Sequence, residues 1–170
     1  MNGSATVVRS GCMAKDADMI LSEFILLGIG GKELSEENAA QTAKALNIIQ
    51  PDFIRVHATG IKLESKLGEF VRDGSFTLQS EEEIVIEQKL FLQQLHEMDS
   101  YYVNEHIVNL LLEVRGNLRT EKQEMLSTID RFLTLPPDER LLFTVGRRLN
   151  IFFRLDDLKK PKLHQKAGES

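Results

Sequence analysis

Apolar residues occur in two kinds of run along this chain. Residues 22–27 (Ser-Glu-Phe-Ile-Leu-Leu) and 53–57 (Phe-Ile-Arg-Val-His) are short and dense. The first is closed by Gly28-Ile29-Gly30-Gly31, the pattern of a strand buried on both faces of a parallel sheet. Between the runs, Ala39, Ala40, Ala43, Leu46 and Ile49 recur at helical spacing. Ser35, followed by Glu36 and Glu37, predicts an N-cap with acids in the first turn, and Pro51 predicts the stop. Strand, glycine turn, helix and strand make one βαβ unit, for which a right-handed crossover is expected.

Beyond Gly60 the spacing turns helical. Leu63, Leu67, Phe70 and Val71 predict a short amphipathic helix ending near Gly74. Ser80 with Glu83 is a capping box, and Ile84, Glu87, Leu90, Phe91, Leu95 and Met98 continue that helix. Residues 100–103 (Ser-Tyr-Tyr-Val) predict a third strand. Helices are expected over 106–114, 120–133 and 137–148, the second opened by a capping-box pair, Thr120 and Gln123. Residues 1–18 are small, polar and without pattern, and read as a flexible segment. The basic stretch 159–170 reads as a disordered tail. The architecture expected is a short parallel α/β unit followed by a mostly helical half. Two or three parallel strands do not close a barrel and leave edges that need cover, so a partner or self-association is expected.

Composition narrows the options. At 170 residues and 42% hydrophobic content, the chain suits one domain of about 100–200 residues. Its 26 acidic against 21 basic residues give a net charge of -5, which disfavours nucleic acid held through phosphates. No window approaches the ~20 apolar residues of a membrane helix, and the first residues lack the apolar core of a secretory signal. A soluble cytoplasmic protein is expected. The single cysteine, Cys12, excludes a disulfide framework. It also excludes a cysteine-built zinc or iron–sulfur centre, which needs three or four thiolates.

Candidate chemistry is sparse. The 28–31 turn lets a ligand approach backbone, and the helix behind it favours an anion. It is not a GxGxxG fingerprint, because position 33 is Glu, and no GK[ST] follows; a tight turn explains it equally. A small α/β enzyme holding a phosphate there lacks any nucleophile–base pair. His57 lies at the carboxyl end of a strand, where sites form in α/β sheets. Arg55, two residues earlier, shares its face; the plain alternative for Arg55 is an ion pair with Glu23 on the neighbouring strand. His96, His106 and His164 read as ordinary histidines, Cys12 as a free thiol, and Arg147-Arg148 as a favourable end to a helix.

The run SEFILLGIGGKELSEENAAQTAKALNIIQPDFIRVHATGI resembles the later part of a radical S-adenosylmethionine (SAM) barrel. It is similar to the radical SAM proteins related to oxygen-independent coproporphyrinogen oxidases, in which a late strand ends in a GLGG-type turn before an alanine-rich helix. LGEFVRDGSFTLQSEEEIVIEQKLFLQQLH, NEHIVNLLLEVRGNL and EKQEMLSTIDRFLTLPPDERLLFTVGRR continue the likeness, which spans about residues 19–150. It implies an α/β fold: a partial (βα) barrel of two or three parallel strands and a helical C-terminal half, over residues 19–158. It further implies Gly28, Gly30, Gly31 and Arg55 on the SAM side, and His57 and His106 on the substrate side. Asn104 and Glu105 stand where the family has Ser-Asp before the histidine, and His57-Ala58-Thr59 replaces an Arg-Thr-Leu continuation.

Such enzymes hold a 4Fe-4S cluster on a CxxxCxxC loop, which this chain lacks. The resemblance therefore implies a C-terminal part of a radical SAM-like protein, contributing to SAM and substrate binding and not catalytic alone. Its implied partner is an N-terminal barrel half. The competing expectation is a non-enzymatic helical interaction module or homodimer.

Overall fold

The structure, a computed structural model, describes residues 3–62, 64–161 and 163. Leu63, His164 and most of the stretch expected to be a disordered tail lie outside the described residues.

Alternation builds the sheet. Strand β1 (Ser22–Leu27) pairs in parallel with β2 (Phe53–Ala58), and β2 pairs in parallel with β3 (Tyr101–Val103). A two-residue strand, β4 (Gly116–Asn117), closes the far side antiparallel to β3, giving the order β1-β2-β3-β4 and leaving β1 at an edge. Ile25, Leu27, Ile54, Val56, Ala58 and Tyr102 occupy one face and are buried. Each fully buried aliphatic side chain there stabilises by about 1.5–3 kcal/mol.

The helical layer covers that face. Helix α2 (Ser35–Ile49) packs on α4 (Glu81–Gln94), and both pack on β1, burying Ala39, Ala43 and Leu46 against Val85, Phe91 and Leu92. The Ser80–Glu83 capping box forms in full at the start of α4. Helix α3 (Lys66–Arg72) is shorter than predicted and is capped by Ser65. Helices α5 (Lys122–Leu133) and α6 (Pro137–Arg148) extend the core through Met125, Ile129, Phe132 and Phe143. A 3-10 helix over Leu155–Lys159 follows them.

Several local expectations change. The strand over 22–27 is buried on one face only. Phe24 is 64% and Leu26 46% exposed, because α2 and α4, the helices that pack on β1, lie on the opposite side. The N-terminal segment read as patternless is helix α1 (Gly3–Asp16). It is held by tertiary contacts: Gly11 lies against Ile49, and Lys15 is ion-paired to Asp52 at 2.7 Å. Ser35 does not cap α2; it is the first helical residue, and its hydroxyl is used elsewhere. Thr120 does not cap α5, which begins after Glu121.

The stretch 106–114 is not helical but a series of turns. Asn104 donates to the Leu111 carbonyl at 2.5 Å, and Asn109 spends its amide on β2. Such side-chain bonds to backbone compete with the helical ladder.

Candidate functional site

The carboxyl ends of β1, β2 and β3 bring together the 28–31 turn, His57 and the loop that carries His106. The turn is set by glycine. Gly28 and Gly31 have φ of 82° and 62°, where L side chains are strained. A Cβ on Gly31 would lie 2.9 Å from the Thr77 carbonyl, and that same carbonyl accepts from the Lys32 N–H at 3.0 Å. The extended segment 76–79 thus crosses the turn on its inner side.

Beneath the turn lies Glu87 of α4, fully buried. Its carboxylate accepts from the Gly28 N–H at 3.2 and 3.3 Å, from the Ser35 hydroxyl at 3.1 Å and from the Asn38 amide at 2.7 Å. The position at the α2 N-terminus that would attract an external anion is occupied by this carboxylate. A ligand phosphate in that slot would meet a negative charge at close range in a water-poor setting. Gln79 donates to Ser35 at 2.9 Å, while its Oε1 is buried without a partner beside Gly28. What the turn leaves accessible is Ile29, on the outer side.

Arg55 is not paired with Glu23. Glu23 lies opposite Ile54, so the period of two puts it on the helix-covered side of the sheet, away from Arg55. The Arg55 Nε donates to the Ser22 hydroxyl at 3.0 Å, and its guanidinium lies 6.0 Å from the Phe24 ring and 5.8 Å from the Phe53 ring. It has no carboxylate partner among the described residues. Arg55 and His57, both half-buried, stand on the face opposite α2 and α4, which is exposed at β1 and closes over Val103 at β3.

His57 and His106 stack, with centroids 4.1 Å apart and ring planes 19° from parallel. The Phe24 ring meets His57 edge-on at 5.3 Å. Burial holds His57 below the ordinary histidine range, with help from the neighbouring His106 and Arg55. The Nδ1 of His106 is buried without a partner. An unpaired lone pair there costs less than an unpaired N–H, which favours the tautomer with its proton on Nε2.

The loop under His106 is fixed by residues that carry no motif. The Asn109 amide donates to the Val56 carbonyl at 2.7 Å and to Asn104 at 2.5 Å, and its carbonyl accepts from the Ala58 N–H at 2.8 Å. It thereby engages the backbone on both sides of His57, as one residue of a neighbouring strand would. Buried Arg147 donates to the Ile107 carbonyl at 3.2 Å, and Arg148 to the Val108 carbonyl at 3.0 Å while also pairing with Glu81. These arginines, read from sequence as a helix ending, clamp the loop from α6.

Sequence reasoning missed Glu87, Asn104 and Asn109. Their one signal is polarity inside otherwise apolar runs, which identifies an anchor only once its partners are known.

No group of three or more His, Cys, Asp or Glu residues able to hold a metal occurs among the described residues. Cys12 approaches the Ile48 carbonyl at the far end of α2, about 20 Å along that helix from the turn. A cluster requiring three thiolates on one loop does not fit this chain. A cleft of about 530 Å³ lies at the opposite end of the sheet, near Tyr101, Arg115, Glu121 and Arg131.

No family model, curated protein or solved structure matches the chain. The fold stands as a mixed α/β structure with a mostly parallel open sheet. No helix among the described residues is long and apolar enough to cross a membrane.

Proposed function

We propose that this chain is the C-terminal part of a radical SAM-like protein, a partial (βα) barrel that supplies SAM and substrate contacts but not the electron source. One observation carries the reading: α2 and α4 pack on one face of the parallel strands, leaving Phe24 and Leu26 of β1 exposed on the other face, which also carries Arg55 and His57. In a (βα) barrel the helices form the outer ring, and the other face of the strands looks inward. A further set of strands pairing along β1 would both cover that face and remove the edge. SAM would meet the turn from its outer side, at Ile29 and Gly30; Arg55, expected on the SAM side, is held at Ser22 toward the amino end of β1, away from the turn. Gly28 and Gly31 act by shaping the turn. His57 and His106 face the substrate. A cytoplasmic location accords with this chemistry.

The test uses the purified chain. SAM is expected to perturb the backbone signals of Ile29 and Gly30 in an NMR titration, while anaerobic iron–sulfur reconstitution yields no stoichiometric cluster. A stable 4Fe-4S centre in the lone chain, or no response to SAM at the turn, contradicts the proposal.

The exposed Phe24 and Leu26 on an edge strand also favour a second reading, a non-catalytic interaction or dimerisation module. Sedimentation across a concentration series separates them. A dimer that ignores SAM supports the second reading; a monomer that binds SAM supports the first.

A further inference from the structure

Strand β1 has backbone groups that the sheet does not use. The Leu21 and Leu27 carbonyls accept from the Phe53 and Thr59 N–H groups at 3.1 and 2.8 Å, so the odd-numbered positions of β1 face β2. The even-numbered positions, Ser22, Phe24 and Leu26, aim their N–H and C=O groups the other way. β1 ends the sheet on that side, and no strand among the described residues stands there. The Asn38 amide reaches this margin, donating to the Leu26 carbonyl at 3.2 Å, and leaves that oxygen a second lone pair.

The side chains along this margin are exposed as well. Met19, Ile20 and Ile29 are 59%, 82% and 41% exposed, and they flank the exposed Phe24 and Leu26. Devices that keep an edge strand single are missing: residues 19–29 hold no proline and no lysine, and their one charge is Glu23. Side chains with these exposures offer roughly 500 Å² on each copy, so two copies reach the ~1,000 Å² that a specific interface needs. The order of the residues is also self-complementary. Antiparallel pairing that sets Phe24 opposite Phe24 of a second copy sets Ser22 opposite Leu26. It brings Met19 and Ile20, before the strand, toward Ile29, after it. Each Phe24 N–H then donates to the other copy's Phe24 carbonyl. Glu23 falls opposite Ile25, so no like charges stand directly across the pair.

We propose that two copies of this chain pair antiparallel along β1 about a two-fold axis at Phe24, joining their sheets into one. The inference rests on the second reading above, that this edge is an interface, and it names the partner and the mode of pairing. A second copy satisfies the free N–H and C=O groups and covers one apolar row with an equal row. A partner offering only an apolar surface would leave the backbone groups unpaired. The two-fold contact uses up β1 on both copies, so the assembly closes as a dimer.

The test combines sedimentation of the full chain across a concentration series with amide hydrogen exchange. A dimer is expected. The Phe24 N–H should gain protection as concentration rises, while the Ile25 N–H, which faces β2, is protected throughout. Phe24→Lys sets two like charges opposite each other and is expected to weaken association about ten-fold or more. Leu141→Lys, at an exposed apolar position of α6, is expected to leave association unchanged. Both positions are exposed, and thermal melts confirm that both variants fold. A dimer that resists Phe24→Lys, that Leu141→Lys weakens equally, or whose Phe24 N–H stays unprotected overturns the edge pairing and leaves the dimerisation reading standing. A monomer at every concentration overturns both.

Discussion

The carboxylate of Glu87 accepts both of its closest backbone contacts from a single donor, the N–H of Gly28, at 3.2 and 3.3 Å. The pair ties the middle of α4 to the turn that ends β1. Glu87→Ala would leave that N–H and the Ser35 hydroxyl without their acceptor inside the fold, and the Asn38 amide with the Leu26 carbonyl alone. A loss of about 2–4 kcal/mol in chemical denaturation is expected. A loss below about 1 kcal/mol would show that the turn is held by other means.

Asn109 fixes the histidine stack from behind. Asn109→Ala removes the partners of the Val56 carbonyl and the Ala58 N–H, at an expected cost of about 1–3 kcal/mol. The more specific consequence is local. With the 106–109 loop released, His57 loses His106 as neighbour and gains water, so its midpoint should rise toward the ordinary histidine value. An NMR titration reads this directly. An unchanged midpoint in a destabilised variant would show that the stack forms without Asn109.

The low midpoint of His57 also makes stability depend on pH. Its causes in order are burial, His106 and Arg55. As pH falls below about 6.5 the unfolded chain takes up this proton before the folded chain does. Stability is therefore complete above that value and declines toward the lower folded midpoint. Urea unfolding at about pH 7.5 and 5.5 should give the lower midpoint at 5.5, and His57→Gln should shrink the difference. Asp157 acts in a separate, lower window. Burial alone would raise it, but Lys160 and the N–H groups of Phe153 and Arg154 outweigh that and hold it below the usual carboxylate range. Its contribution is present above the ordinary aspartate value and is lost as pH falls through the folded one.

Two glycines offer a controlled comparison. Gly31→Ala combines a φ of 62° with a Cβ 2.9 Å from the Thr77 backbone, and should cost about 1–3 kcal/mol or more. Gly60→Ala meets nothing within 4 Å and has no left-handed φ, so thermal unfolding should change little or improve slightly. Equal effects at the two positions would mean that the 28–31 turn tolerates displacement of the segment crossing it.

Much of the fold was legible because its signals are local. The dense run ending in Gly28, the alanine-rich spacing from Ala39, the Ser80 capping box and Pro137 at the start of α6 each act within a few residues of themselves. The errors arose where a side chain answered a distant partner. Ser35 has the chemistry of a cap and uses it on Glu87, 52 residues away. Asn109 sits in a helix-compatible run and uses its amide on β2. The small, polar residues of α1 carry no apolar stripe, and the helix gains its hold from Ile49 and Asp52.

The site divides the same way. Sequence placed His57 and Arg55 on one strand face and singled out the glycine turn, because strand period and glycine conformation are properties of the local chain. It also limited thiolate chemistry, since one cysteine is one cysteine in any fold. Only the tertiary structure decided that His106 stacks on His57, that Glu87 fills the anion slot under the turn, and that the face with Arg55 lies opposite α2 and α4. Each of these depends on residues brought together from far apart in the chain, and on which side of the sheet the helices pack. A pattern of local preferences does not encode those distances; the balance of burial and hydrogen bonding across the whole fold sets them.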